Sequence, residues 1–115
     1  MIRCGQSRDV KRYEALREIG CIACYIDGLK GMPAEIHHLV DNGYRKHSGG
    51  NQATIPLCVW HHRGEPNEAG VMHTRLLRGP SMALERREFD KVYGNQRSLL
   101  ARVNQMLSCG NRGDV

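Results

Sequence analysis

Two short motifs constrain this chain more than anything else in it: Cys21-Ile-Ala-Cys24 and, further on, Cys58-Val-Trp-His61. Thiolate and imidazole are the side chains that bind zinc-like metals best, and closed four-coordinate sites are often assembled from two such knuckles. Either half alone is a weak signal. Together they supply a Cys₃His set, so a fold that satisfies them must bring residues 21–24 against residues 58–61. The alternative is that Cys21, Cys24 and Cys58 are buried thiols beside surface histidines. A metal would be useful here, because 115 residues with one Trp, one Phe and four Tyr support only a modest core. Binding energy then becomes folding energy. Cys4 and Cys109 fall in no pattern and are expected to be reduced, non-ligand thiols. Five cysteines would leave a disulfide framework with an unpaired thiol. Residues 1–13 have no apolar segment of signal-peptide type, and no apolar run approaches the roughly 20 residues of a membrane span. The expectation is a reducing cytoplasm and no membrane.

Apolar periodicity places a helix over RDVKRYEALREI, residues 8–19, with Ser7 or Asp9 able to cap its start and Gly20 to end it. That helix delivers the chain into Cys21, where a tight knuckle turn is expected. Ala34 to Val40 reads as a short strand, residues 41–53 as an exposed loop, and Thr54 to Leu57 as a second strand whose Pro56 confines it to an edge or an end. Cys58 to His62 should begin a helix or turn. Gly64, Pro66, Gly70, Gly79 and Pro80 punctuate a segment expected to be irregular. Met82 to Tyr93 reads as a helix stopped by Gly94, and Asn95 can cap a final helix over 96–107. Trp60 is expected to be a packing anchor rather than a base-stacking platform.

The histidines divide unevenly around the knuckles. Assigning His61 to the cysteine cluster leaves its neighbour His62 free, together with His37 and His38. Adjacent strand residues face opposite sides, so one of His37 and His38 can bind a metal while the other faces an attacking water. Neutral imidazole suits the second task because its ordinary pKa lies near neutrality.

The order C-x-x-C, then IHH, then an Asn in a loop, then PLC-x-x-HH resembles the HNH, or ββα-metal, nucleases that carry a structural zinc. The wider stretch GGNQATIPLCVWHHRG followed by GPSMALERREFDKVYG looks more specifically like phage recombination-enhancement, RecA-dependent nucleases and related prophage HNH proteins. The resemblance covers roughly residues 20–94. It implies an α+β fold, a zinc-stabilised ββα-metal (HNH/His-Me finger) core with flanking N- and C-terminal helices. On this reading residues 1–115 are one HNH nuclease domain, with its core at about 20–94. By resemblance His37 is a ligand of a catalytic divalent metal, His38 the general base, His62 a second metal ligand and Asn51 the residue that aims His38. Many HNH proteins place a last metal histidine one helical turn further on. Here that position is Pro66, and the replacement is His73, with His47 a poorer candidate.

Seventeen Lys and Arg against twelve Asp and Glu give a charge of +5, which favours a polyanionic partner. Arg45, Lys46 and Arg63 lie close to the histidines and are expected to meet DNA phosphates. Arg75, Arg78, Arg86 and Arg87 could extend the track or be solvated surface charges. The expectation is a metal-dependent DNA endonuclease of phage or prophage recombination or DNA processing, acting in the bacterial cytoplasm. It would use structural Zn²⁺ and catalytic Mg²⁺ or another divalent cation, in the company of a recombinase filament. The alternative is a zinc-stabilised DNA-binding or adaptor module that does not cut.

Overall fold

The first helix, α1, spans Arg8–Ile19, as its periodicity predicts, with Leu16 fully buried; Val10 is exposed, and Asp9 and Arg12 turn toward the rest of the molecule. The computed structural model describes residues 8–39 and 49–113, of which 109–113 as backbone only. Ser7, Val40, Arg45, Lys46, His47 and Cys4 lie outside the described residues, as does the side chain of Cys109. Gly20 ends α1 with φ of 79°, and a Cβ there would sit 2.7 Å from the Met32 backbone. Only glycine fits this close approach, which is closed by the Cys21 amide donating to the Met32 carbonyl at 3.0 Å.

The short helix α2, Ile22–Ile26, follows at once. Strands β1, Glu35–His38, and β2, Thr54–Leu57, pair antiparallel with Glu35 opposite Leu57 and His38 opposite Thr54. The Leu39 amide donates to the Ala53 carbonyl at 3.0 Å and extends the hairpin by one step. All four residues of β2 are buried, and Pro56 is tolerated because each strand of a two-stranded sheet keeps an outer edge. A 3₁₀ turn, Gly50–Gln52, leads into β2. Helix α3, Val59–Arg63, follows β2 directly and ends at Gly64 in the left-handed conformation, φ 76°. The sheet is thus a β-hairpin followed by a helix, with α1 packed on both strands and α6, Gln96–Gly113, packed on β2.

The region after α3 departs from expectation. Residues 71–78, expected to be irregular, form α4, Val71–Arg78. The next helix, α5, is Arg86–Tyr93 and so begins at Arg86 and not at Met82. Residues 82–84 instead make a turn, because the Met82 amide donates to the His61 carbonyl at 2.9 Å and the Leu84 amide to Ser81 Oγ at 3.0 Å. The turn thereby docks on α3. Asn95 caps α6 as expected, its Oδ1 accepting from the Ser98 amide at 2.8 Å, but the helix runs beyond 107 to Gly113. Leu39, Ile55, Leu57, Phe89, Leu99 and Val103 form the centre of the core with Leu16 and Ile22, all at or below 1% exposure. Among the described residues no helix is long and apolar enough to cross a membrane.

Candidate functional site

Cys21, Cys24, Cys58 and His61 meet in the interior, their ligand atoms all within 4.8 Å of one another. His61 Nδ1 lies 3.4, 3.6 and 3.2 Å from the sulfurs of Cys21, Cys24 and Cys58, and the Cys24 and Cys58 sulfurs are 3.9 Å apart. Ligand bonds of about 2.3 Å to sulfur and 2.0 Å to nitrogen require tetrahedral edges of about 3.8 and 3.5 Å, and these four distances lie close to those edges. The knuckle geometry is local. Cys21 Sγ accepts from the Cys24 amide at 3.4 Å, and Cys58 Sγ, as the N-cap of α3, accepts from the His61 amide at 3.5 Å.

His61 Nε2 donates to the Arg78 carbonyl at 2.9 Å, which leaves Nδ1 as the ligating nitrogen. The Arg78 guanidinium contacts Cys24 Sγ at 3.7 Å, where it can offset the negative charge of three thiolates around one divalent ion. Burial lowers the His61 pKa, but bonds to Cys24 and Cys58 outweigh that and lift it to about 9. Burial drives Cys21 up, whereas bonds with Cys21 and Cys24 hold Cys58 down. Among the described residues this is the one cluster of three or more such ligands able to hold a metal ion.

The second set of histidines lies on the other side of α3 and on β1. Alternation along β1 sends His37 and His38 apart. The His37 ring meets His62 edge-on, with centroids 5.0 Å apart, and its Nε2 lies 3.0 Å from Gln96 Oε1. Burial holds the His37 pKa below the ordinary imidazole value. Glu35, two residues earlier on the same face, accepts from His62 Nδ1 at 2.9 Å. Among the described residues, each of these two rings therefore has one nitrogen held by an oxygen and one nitrogen left over. His38, on the opposite face, has its Nε2 at 2.9 Å from Asn51 Oδ1 and 3.3 Å from the Tyr13 hydroxyl.

His73 is exposed in the first turn of α4 and makes no hydrogen bond or ring contact with His37 or His62. Arg63 is also not a free cation. Its guanidinium is bidentate on Glu35 at 3.0 and 2.7 Å and touches Glu65 at 3.3 Å. The His62 and Arg63 contacts together hold the Glu35 carboxyl below its usual pKa. Arg75 pairs with Glu85 and Arg86 with Asp90, while Arg87 is exposed. Trp60 is 2% exposed and donates to the Gly79 carbonyl at 2.9 Å, a packing anchor as expected.

Four residues around the histidines were not singled out as site residues by the sequence: Asp9, which was read only as a cap, Tyr13, Glu35 and Gln96. Glu35 had a signal, since a residue two before His37 on a strand shares its face. Gln96 and Asp9 had none, because each reaches its partner across a long stretch of chain. A family model described as recombination enhancement, RecA-dependent nuclease, matches residues 6–108.

Proposed function

The chain belongs to the recombination-enhancement, RecA-dependent nucleases, and from that premise we propose that it is an HNH-type endonuclease. It hydrolyses phosphodiester bonds of DNA, with a recombinase filament as partner, and depends on a divalent cation. Cys21, Cys24, Cys58 and His61 would hold a structural Zn²⁺, a role their closed and buried geometry suits. His37 and His62 would hold the catalytic cation through the ring nitrogens that Gln96 and Glu35 leave over, with His73 the candidate third ligand. Mg²⁺ fits such a sparse protein shell because it retains several waters. When bound, a cation there would stabilise negative charge on the phosphate and on the leaving oxygen.

The chain's own residues supply the remaining steps. His38 accepts the proton of the attacking water, and Asn51 holds the His38 ring while it does so. Burial disfavours the charged form of His37 and so favours the neutral ring, the form in which imidazole can be a ligand. Arg45 and Lys46 contact DNA phosphates on this reading. Arg63 acts mainly by locking the carboxylate that orients His62.

The observation that supports the reading best is the division of the adjacent pair. His37 turns to a second histidine, and His38 turns to an asparagine that can aim it. The test is His38→Ala, assayed for cleavage of single- and double-stranded DNA with and without Mg²⁺ and a recombinase filament. Loss of about 10²- to 10⁴-fold in rate, with zinc content unchanged, is expected for removal of a general base. DNA binding with no cleavage by the parent chain under any of these conditions would instead favour a non-catalytic adaptor.

A further inference from the structure

Three residues of α1 meet the hairpin beside His38. Asp9, Arg12 and Tyr13 share one face of the helix, at i, i+3 and i+4. Arg12 donates from Nε to Thr54 Oγ1 and from Nη2 to the Thr54 carbonyl, both at 2.7 Å, and Thr54 is the residue opposite His38 in the hairpin. Tyr13 reaches the His38 ring itself. Asp9 does not touch His38. Its Oδ2 accepts from Asn51 Nδ2 at 3.1 Å and its Oδ1 from Gln52 Nε2 at 2.8 Å, so both amides of the 3₁₀ turn rest on one carboxylate.

We infer that Asp9 is a positioning residue that acts through Asn51 to select the tautomer of His38. A carboxamide has an oxygen end and an amino end, and either could face the ring. With oxygen toward His38, Nε2 must carry the proton and Nδ1 keeps its lone pair. With the amino group toward His38, Nε2 must be the acceptor and the proton moves to Nδ1. The ring alone does not decide between these states. An ionised carboxylate accepts and cannot donate, so Asp9 can only be met by the amino end of Asn51. That leaves Oδ1 for His38. The hydrogen bonds from the Gln52 and then the Asn51 side-chain amides hold the Asp9 carboxyl below its ordinary pKa, which keeps it ionised at neutral pH. Asp9 thus keeps the base nitrogen of His38 unprotonated from a helix outside the hairpin-and-α3 unit.

For its consequence in rate the inference rests on the nuclease reading; for the tautomer it does not. Asp9→Asn is nearly isosteric but offers one acceptor oxygen to two amide donors, which releases Asn51 to turn. Asp9→Glu keeps an acceptor-only group. The experiment records long-range ¹⁵N–¹H correlations of the histidine rings in the zinc-loaded full chain, at a pH where the rings are neutral. His38 is assigned by its absence in His38→Ala.

The parent chain should show His38 with its proton on Nε2. Asp9→Asn should move a substantial fraction to Nδ1, and Asp9→Glu should restore the parent pattern. In parallel, Asp9→Asn should lower kcat by about tenfold or more with KM for DNA within about twofold, as expected when a general base is mis-set but the substrate contacts remain. An Asp9→Asn chain that retains zinc and still holds His38 in the parent tautomer would overturn the inference. A tautomer shift in a chain whose parent cleaves no DNA would uphold it and sink the nuclease reading instead.

Discussion

His61 and His62 are neighbours on one short helix, yet they belong to regions built on opposite principles. His61 is fully buried and closed in by three sulfurs and a backbone carbonyl. His62 is a quarter exposed and has one nitrogen on Glu35 and the other uncommitted among the described residues. Successive residues on a helix differ by about 100° in direction, so a single step along α3 crosses from the interior to the surface. The contrast teaches that residue type does not assign the role. In the closed centre every polar atom is used to hold atoms still, and in the open face each ring has one atom held so that the other is available.

Variants can break or sharpen that contrast. The largest effect is expected from Cys58→Ser, which removes one of the four candidate zinc ligands and the N-cap sulfur of α3 together. Structural zinc contributes roughly 10 kcal/mol or more to domains of this kind, comparable to the whole 5–15 kcal/mol or so of a typical fold. Zinc should be absent by elemental analysis, and the cooperative thermal transition should disappear. A chain that still melts cooperatively without zinc would show that the closed centre is not what holds the fold.

His62→Ala should do the reverse. Zinc and the melting transition should persist, while Mn²⁺ binding to the zinc-loaded chain, followed by electron paramagnetic resonance, weakens by at least about tenfold. Partners that merely orient a ligand are worth ten- to a hundredfold, so removing His62, a ligand on the proposed reading, should cost no less. Loss of zinc in this variant would mean that the two regions are one.

The smallest effect is expected from Arg78→Met, which keeps the aliphatic length but deletes the cation beside Cys24. A loss of about 1 kcal/mol, roughly fivefold in zinc affinity by competition with a chelator, is the scale of one hydrogen bond. Cleavage should be unchanged. A fall in DNA affinity with unaltered zinc binding would return Arg78 to the phosphate track.

The parts of the molecule that were legible in the sequence are those written in local spacing. The two knuckles stand at i and i+3, α1 and α6 show apolar residues at helical spacing, and the strand alternation parts His37 from His38. Helix α4 was not legible because its apolar residues do not point inward. Met72, Leu76 and Leu77 are exposed, and only Thr74 is buried. The partners of the histidines were hidden for a different reason. Gln96 lies 59 residues from His37, and Asp9 lies 42 from Asn51, so no window along the chain contains both members. Only the packing of α1 and α6 on the hairpin brings them together.

The hairpin register carries a consequence for how such a chain can change over time. Because strand side chains alternate with a period of two, one residue gained or lost between Glu35 and the Leu39–Ala53 hydrogen bond would exchange the surroundings of the two adjacent histidines. On the proposed reading, His37, assigned to the cation, would then face α1, and His38, assigned to the water, would face α6. A change of two residues would restore the faces and alter only the reach. Length variation in this strand should therefore be filtered by parity, with odd steps lethal to activity and even steps open to repair by substitution.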